Sequence, residues 1–467
     1  MKQIDFSKAR RATPAKAALL VSALLLASPI AAQAETPFPV RPAAPGPLQP
    51  ATVAKGLLDP GSLAQAPAEV RSFYAYHANR PLWIADDGSI KPAAQALLQL
   101  VETARVDGIN PRTLNAEQLA AALDRAQAEH SPAALTQAEV QLSITLVAYE
   151  KALLQSADAG MDYEHPNLRP YAPASQSILM QAAGSGSLEE YIQQMQWMHP
   201  LYAQLRQSLM TESADSRAMR DEVTKNLARL RAIPRTPGAR YILVDAAGSR
   251  LYMYEGDHVV DTMKVVVGKP DMPTPMYAGY VRYATFNPYW YVPEDLVPHK
   301  IAPNVISQGM GYLKRQGYQV VSDYTPDAEV IDPSTIDWHA VAKGTVKVKL
   351  RENPGGPNAM GTVKYEFPNK YGIYLHDTPE KDLLKADAPH FSSGCIRLED
   401  AHRLGQWLLG YSPSVSNAPE QRLDLAQPVP VYVTYLTAHP MEGGQIALGP
   451  DPYGRDGHEG TALASAD

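Results

Sequence analysis

Cys395 is the single cysteine of the chain, set in Ser392-Ser393-Gly394-Cys395-Ile396-Arg397, and His376 stands nineteen positions upstream. One cysteine cannot close an intrachain disulfide, and it excludes zinc ribbons, iron–sulfur clusters and disulfide scaffolds. A free thiol is left, either buried filler or a nucleophile. An unperturbed thiol, with a pKa near 8.5, is only a few per cent ionised at neutral pH, so a nucleophilic cysteine needs an adjacent imidazole or cation. His376 is the best local candidate; lowering the thiol pKa by one to two units takes about 1.4 to 2.8 kcal/mol of differential stabilisation. His390, five residues before Cys395, is the rival base. Gly394 permits a tight turn, so the N–H groups around Gly394 and Cys395 can face a developing oxyanion. The chain has neither a His-Glu-x-x-His helix nor a Gly-x-x-x-x-Gly-Lys-Ser/Thr loop, which argues against metal hydrolysis and nucleotide use. No cofactor is expected.

The elements that must position these groups follow from length and pattern. The chain has 467 residues, 45% apolar and 19% charged, which predicts two or three globular domains at about 100 to 200 residues each. Forty-two basic against 49 acidic side chains give a net charge of -7, with no general attraction for nucleic acid. Lys2, Lys8, Arg10, Arg11 and Lys16 precede an apolar run from Ala17 to Ile30, and Ala32-Gln33-Ala34 offers a cleavage site. Residues 1–34 therefore read as a secretion signal of a periplasmic protein, with retention as a membrane anchor the alternative. A Pro- and Ala-rich linker spans 35–68.

Residues 69–212 read as a mostly helical domain, with Leu97, Leu98, Val101 and Ala104 on one face and Val140, Ile144, Val147 and Leu154 on another. His77, His130, His165 and His199 lack metal-ligand spacing. A charged connector over 213–238 leads into a strand-rich domain over 239–437, with strands expected at Arg240–Asp245, Arg250–Glu255 and His258–Val267 and a hairpin turn at Gly256-Asp257. Further strands are expected at Tyr280–Phe286, Thr345–Arg351, Thr362–Phe367, Gly372–His376 and Val429–Leu436, and a helix at Glu399–Leu409. Residues 293–343 are rich in breakers and read as a mixed insertion placed to act as a lid. The Gly-rich, acidic tail over 438–467 reads as disordered. The fold class expected is thus a multidomain α+β chain, helical first and mostly β after.

These residues resemble the L,D-transpeptidases with a YkuD-type catalytic domain, in particular the large YcbB-like periplasmic branch with a helical scaffold domain. The family signature is a histidine, a spacer, then Ser or Thr, His, Gly and Cys; here His376 is followed by 15 residues and then Ser392-Ser393-Gly394-Cys395. Ser393 stands where small members have histidine, as in the large branch. Met263 to Lys269 with Thr274-Pro275, Asn287-Pro288-Tyr289-Trp290-Tyr291-Val292-Pro293, and Leu350 to Lys364 with Asn358 and Gly361 also match, as do Phe73-Tyr74, Arg80-Pro81-Leu82-Trp83 and Asp107-Gly108 upstream.

The resemblance implies that Cys395 attacks a donor tetrapeptide stem of peptidoglycan, releases D-alanine and passes the acyl group to an acceptor stem as a 3→3 crosslink, with His376 moving protons and Gly394 in the oxyanion turn. It further implies carbapenem acylation and possible association with other cell-wall synthesis enzymes. The alternatives are an L,D-carboxypeptidase or crosslink hydrolase, attachment of an outer-membrane protein to the wall, and a non-catalytic wall-binding protein. Trp290 and Tyr374 are pocket or core aromatics. Arg397 either orients a stem carboxylate or pairs with Glu399 or Asp400. Asp377 points to the opposite strand face from His376, and Ser392 and Ser393 shape the loop.

Overall fold

The computed structural model describes residues 57–155, 159–211 and 217–457. The expected secretion signal and most of the linker lie outside the described residues. Residues 57–68 are not the extended chain expected of a linker. Asp59 accepts the Ser62 N–H at 2.7 Å and caps helix α1 (Pro60–Ala64), while Leu58 and Ala66 are buried. The cap and the proline at the first helical position explain why the helix starts there.

The helical region continues with α2 (Ala68–Tyr76), α3 (Pro92–Glu102), α4 (Ala116–Glu129), α5 (Pro132–Leu154), α6 (Ser175–Gly184), α7 (Leu188–Gln193) and α8 (Pro200–Thr211). The α3 stripe is buried as expected. The α5 stripe is buried in part: Val147 and Leu154 are enclosed with Leu135, Ala138, Leu142, Leu146 and Leu153, while Val140 and Ile144 are only partly buried. Val140 and Ile144 share the less buried face of α5 with Gln137, Gln141 and Ala148, and the opposite face packs into the bundle core. Its buried Glu139 accepts hydrogen bonds from the Trp83 N–H (3.0 Å) and the Tyr74 hydroxyl (2.8 Å). That accounts for the polar residues inside its core face.

The connector is helical, as its charged pattern from Ser213 to Ala232 leads one to expect, and it is also packed. Helix α9 (Arg217–Leu230) is followed by Arg231, whose guanidinium bonds the carbonyls of Ala152, Leu153, Gln155 and Asp107 at 2.8 to 3.0 Å. Three of these carbonyls lie at the C-terminal end of α5, where orphan acceptors and the negative end of the helix dipole favour a cation. His199 joins the bundle to the sheet through the Tyr241 hydroxyl at 2.9 Å.

Strand β1 (Asp162–Tyr163) leaves the bundle to pair with the sheet. The sheet strands are β2 (Arg240–Asp245), β3 (Arg250–Glu255), β4 (His258–Gly268) and β5 (Tyr277–Phe286); the insertion, wider than the 293–343 expected, contributes β6 (Trp290–Tyr291), β7 (Tyr318–Val321), β8 (Val330–Ile331) and β9 (Lys349–Glu352). After it come β10 (Val363–Glu366), β11 (Leu375–His376), β12 (His390–Ser392), β13 (Ile396–Leu398) and β14 (Gln421–Thr434). The expected hairpin at Gly256-Asp257 joins β3 to β4, with Gly256 at φ 58°. Strand β14 pairs with both β2 and β5, so the order β5-β10-β11-β13-β4-β3-β2-β14 closes on itself as a barrel-like sheet. Closure removes the exposed edges that a sheet otherwise presents.

The insertion is more than a surface elaboration. Val292, Val297, Ile301, Val305, Leu313, Trp338, Val341 and Leu350 form a second hydrophobic core. Around it sit α10 (Ala302–Gln308), α11 (Gly311–Arg315), α12 (Trp338–Ala342) and a small sheet ordered β6-β9-β7-β8. Helix α13 (Ala401–Leu409), capped by Asp400 through the Arg403 N–H, covers the barrel.

The tail departs from the disorder expected over 438–467. Strands β15 (Ala438–Pro440) and β16 (Ile446–Leu448) pair, and the chain is folded to Gly457. Asp451 is the reason: its carboxylate accepts the Tyr435 hydroxyl (2.5 Å) and the N–H groups of Arg455, Asp456 and Gly457 (2.8 to 2.9 Å). Residues 458–467 lie outside the described residues. Among the described residues no helix is long and apolar enough to cross a membrane.

Candidate active site

Strands β11 and β13 run parallel with Leu375 opposite Ile396 and His376 opposite Arg397. Leu375 and Ile396 are fully buried in the barrel core. Side chains alternate faces along a strand, so Tyr374 and His376 on one strand and Cys395 and Arg397 on the other project to the opposite side. All four line one cleft of about 710 Å³. The Ile396 N–H to Tyr374 carbonyl bond, 2.9 Å, locks this register.

His376 is 2% exposed, and its Nδ1 lies 2.5 Å from the Asp377 carbonyl. A carbonyl only accepts, so Nδ1 carries the proton and Nε2 keeps its lone pair. Burial, aided by the nearby Arg397 charge, lowers the imidazole pKa to about 4. It is neutral at neutral pH. Burial pushes the Cys395 thiol above its ordinary value, against a backbone hydrogen bond from Tyr374 and the Arg397 charge. Both directions run against the imidazolium-lowered thiol expected from sequence.

Gly394 has φ 107°, a conformation that L side chains rarely adopt, and an added Cβ would sit 3.3 Å from Ile373 Cγ2. Its N–H donates to Ser392 Oγ at 3.2 Å, and that hydroxyl donates to the Cys395 carbonyl at 2.6 Å. Ser392 is thus the brace of the turn, and the Gly394 N–H is already engaged. Ser393 is exposed on the cleft wall.

Arg397 does not pair with Glu399 or Asp400; it binds Glu380, which also lines the cleft, at 2.5 Å. Glu399 accepts the Lys264 N–H instead. Asp377 points away from the cleft, accepting the Thr362 N–H (2.9 Å) and the Lys381 ammonium (2.8 Å). Its carbonyl, rather than its carboxylate, orients the histidine. His390 is turned from the cleft, with Nε2 3.2 Å from the Ala246 carbonyl and 3.3 Å from Ser249 Oγ.

The insertion supplies the facing wall. Trp290, opposite Glu352 across β6 and β9, lines the cleft with Tyr291, Lys300 and Tyr318. Sequence reading missed two groups here. Glu352 is 2% exposed, and burial raises its carboxyl pKa to about 7. The Tyr291 hydroxyl is buried without a hydrogen-bond partner among the described residues. A glutamate at an inward strand position was the available signal for the first; Tyr291 lay unremarked inside the Trp290 motif.

Among known proteins, residues 239–433 match the L,D-transpeptidase catalytic domain family, YkuD, and residues 68–209 match the scaffold domain family. A Haemophilus influenzae protein, named provisionally as an L,D-transpeptidase, is 27% identical over 287 residues. The match covers 59% of this chain and 57% of that relative, so the chain spans little more than half of its length. An L,D-transpeptidase structure from Mycobacterium smegmatis shares 13% identity over 42% of this chain and 58% of its own, with a TM-score of 0.21. The catalytic domain of an Enterococcus faecium L,D-transpeptidase shares 17% identity over 42% of this chain and 95% of its own, with a TM-score of 0.18.

Proposed function

From a chain that joins a YkuD-type L,D-transpeptidase catalytic domain to a scaffold domain, we propose an exported cysteine acyltransferase that forms 3→3 crosslinks between peptidoglycan stem peptides. The observation that carries this reading is the β11–β13 register, with His376 and Cys395 on one wall of one cleft. Cys395 Sγ attacks the carbonyl of the third residue of a donor tetrapeptide, usually meso-diaminopimelate, while His376 Nε2 takes the thiol proton. Because burial favours the neutral thiol and the neutral imidazole, proton transfer accompanies attack rather than preceding it. The oxyanion forms beside the Cys395 N–H, the member of the turn pair left once Ser392 holds the Gly394 N–H. Collapse of the tetrahedral intermediate breaks the amide bond, and His376 returns the proton to the departing D-alanine amine. The side-chain amine of an acceptor stem then attacks the thioester, giving its proton to His376 as the thiolate leaves. The thiolate is reprotonated from the imidazolium. No nucleotide is consumed.

Trp290 and Tyr374 offer stem-peptide faces, Arg397 an anion partner held in place by Glu380, and Ser393 a hydroxyl at the rim. The insertion, with its own core, acts as a lid over the cleft. A strained β-lactam such as a carbapenem is expected to acylate the same sulfur. Location in the periplasm rests on the leader and a cleavage after Ala34. Mass spectrometry of products from purified tetrapeptide muropeptides tests the reading: a 3→3 dimer with free D-alanine is expected. Release of D-alanine without a dimer would assign the hydrolytic reaction instead.

A further inference from the structure

The chain continues past residue 433, where the match to the catalytic family ends, and the added segment reaches the nucleophile turn. We propose that residues 435–457 form a clasp that sets the geometry of the Gly394–Cys395 peptide, with Tyr453 as a positioning residue acting through Thr274. The proposal rests on the reading of Cys395 as nucleophile.

One end of the clasp is anchored on α9. Asp456 accepts two bonds from the Arg229 guanidinium (2.6 and 2.7 Å) and one from the Thr437 hydroxyl (2.5 Å), and its carbonyl accepts the Lys225 ammonium (2.9 Å). A bidentate arginine–carboxylate contact fixes both position and orientation. The Tyr453 ring stacks on Tyr435 with centroids 5.2 Å apart, and its N–H donates to the Tyr435 hydroxyl at 3.0 Å. The Tyr453 hydroxyl is thereby delivered to the loop after β4. It donates to the Gly268 carbonyl at 2.8 Å and accepts the Thr274 N–H at 3.3 Å.

Thr274, fully buried, completes the relay. Its hydroxyl accepts the Gly268 N–H at 2.8 Å and donates to the Gly394 carbonyl at 2.9 Å. The loop is so tight that a Cβ on Gly268 would lie 2.3 Å from the Met272 carbonyl. The Gly394 carbonyl and the Cys395 N–H belong to one planar trans peptide, so a donor holding the carbonyl aims the N–H to the opposite side. Orientation of that N–H governs oxyanion stabilisation, where removal of a donor costs about 10²- to 10³-fold in rate.

The test compares two reactions of Cys395 in the full chain: acylation by meropenem, which passes through an oxyanion, and alkylation by iodoacetamide, which does not. Tyr453→Phe should slow acylation about tenfold, less than outright loss of a donor, with alkylation and the KM for a tetrapeptide donor unchanged. Thr274→Val should slow acylation further, and Thr274→Ser, which keeps the hydroxyl, should restore it. Wild-type acylation rates in both Tyr453→Phe and Thr274→Val would overturn the clasp. Equal losses of acylation and alkylation that track a fall in Tm would also overturn it, as a folding effect. If meropenem labels no wild-type sulfur, the nucleophile reading falls and takes the clasp's role with it, a result distinct from both.

Discussion

The Asp107 cluster of the helical bundle and the cleft both bury polar groups, and they use them in opposite ways. In the bundle, Asp107 accepts the Tyr149 hydroxyl (2.7 Å), the Tyr202 hydroxyl (2.5 Å) and Arg206 Nε (2.9 Å), while its carbonyl takes Arg231 (3.0 Å). Arg206 also reaches the Leu100 carbonyl and the Thr103 hydroxyl. Acceptors and donors match, and the network holds the bundle together. In the cleft, His376 spends one nitrogen on the Asp377 carbonyl, and the Tyr291 hydroxyl has no hydrogen-bond partner among the described residues. A closed network stabilises, whereas an incomplete one beside a cavity leaves groups able to react or to bind.

Exchanging the two behaviours by mutation gives the largest effects. His376→Ala should lower the acylation rate at least about 100-fold, the range of a positioned acid–base group, with the fold kept. Asp107→Ala should do the reverse, costing about 3 to 5 kcal/mol because it strands a buried Arg206 charge, while the remaining folded fraction acylates normally. Denaturation midpoints and single-turnover mass spectrometry on the same samples separate these outcomes. Next in size is the insertion. Its core is distinct from that of the barrel, and Val292 already bonds the Leu350 carbonyl at 2.9 Å. Joining these two ends with a short turn should lower stem-peptide turnover at least about tenfold and shift Tm little; equal damage to both would make the insertion a structural prop.

Much of this was legible in sequence where the pattern is local. Alternation gave β2 and β3 to the residue, and the His376–Cys395 spacing pointed to the pair that the β11–β13 register brings together. What was not legible depends on long-range bonds. Glu380, in the chain after β11, pairs with Arg397, and the orienting acceptor for His376 is a carbonyl, which no side chain announces. The tail has no periodicity at all; it is ordered by one carboxylate, Asp451, gathering N–H groups. In α5 the apolar residues extend past the buried face, so Val140 and Ile144 fall beside Gln137 and Gln141 on its less buried side while Val147 and Leu154 are enclosed.

The pH dependence of stability sharpens the contrast. An imidazole at about 4 when folded and 6.5 when unfolded means that the unfolded chain binds the extra proton between those values. The His376 contribution is complete above pH 6.5 and is lost as pH falls toward 4. Buried His199, also lowered to about 4, acts in the same direction. In the bundle, burial raises Glu139 to about 7 and Glu150 to about 8. The folded state then holds protons that the unfolded state releases above 4.5, so their contribution is complete below pH 4.5 and is lost as pH rises through 7 and 8. His376→Ala should flatten part of the acid limb of a Tm–pH curve and Glu139→Gln part of the alkaline limb. Unchanged limbs in both variants would contradict these assignments.

The smallest effect is expected at Tyr291. Its hydroxyl is buried without a hydrogen-bond partner among the described residues, so Tyr291→Phe should leave Tm equal or slightly higher and raise the KM for a stem peptide a few-fold. A clear loss of Tm would mean that the hydroxyl is satisfied in solution and belongs with the closed networks of the bundle.

The central claim is that the open side of the cleft exists to let one sulfur form a thioester. Intact-protein mass spectrometry of wild-type and Cys395→Ser chains, after incubation with meropenem and with a tetrapeptide muropeptide, tests it most directly. Sulfur and oxygen differ little in size, but a single imidazole does not ionise a hydroxyl. The account predicts a covalent adduct and 3→3 dimers from the wild type and neither from the variant at unchanged Tm. Adduct or dimer formed by Cys395→Ser would contradict it.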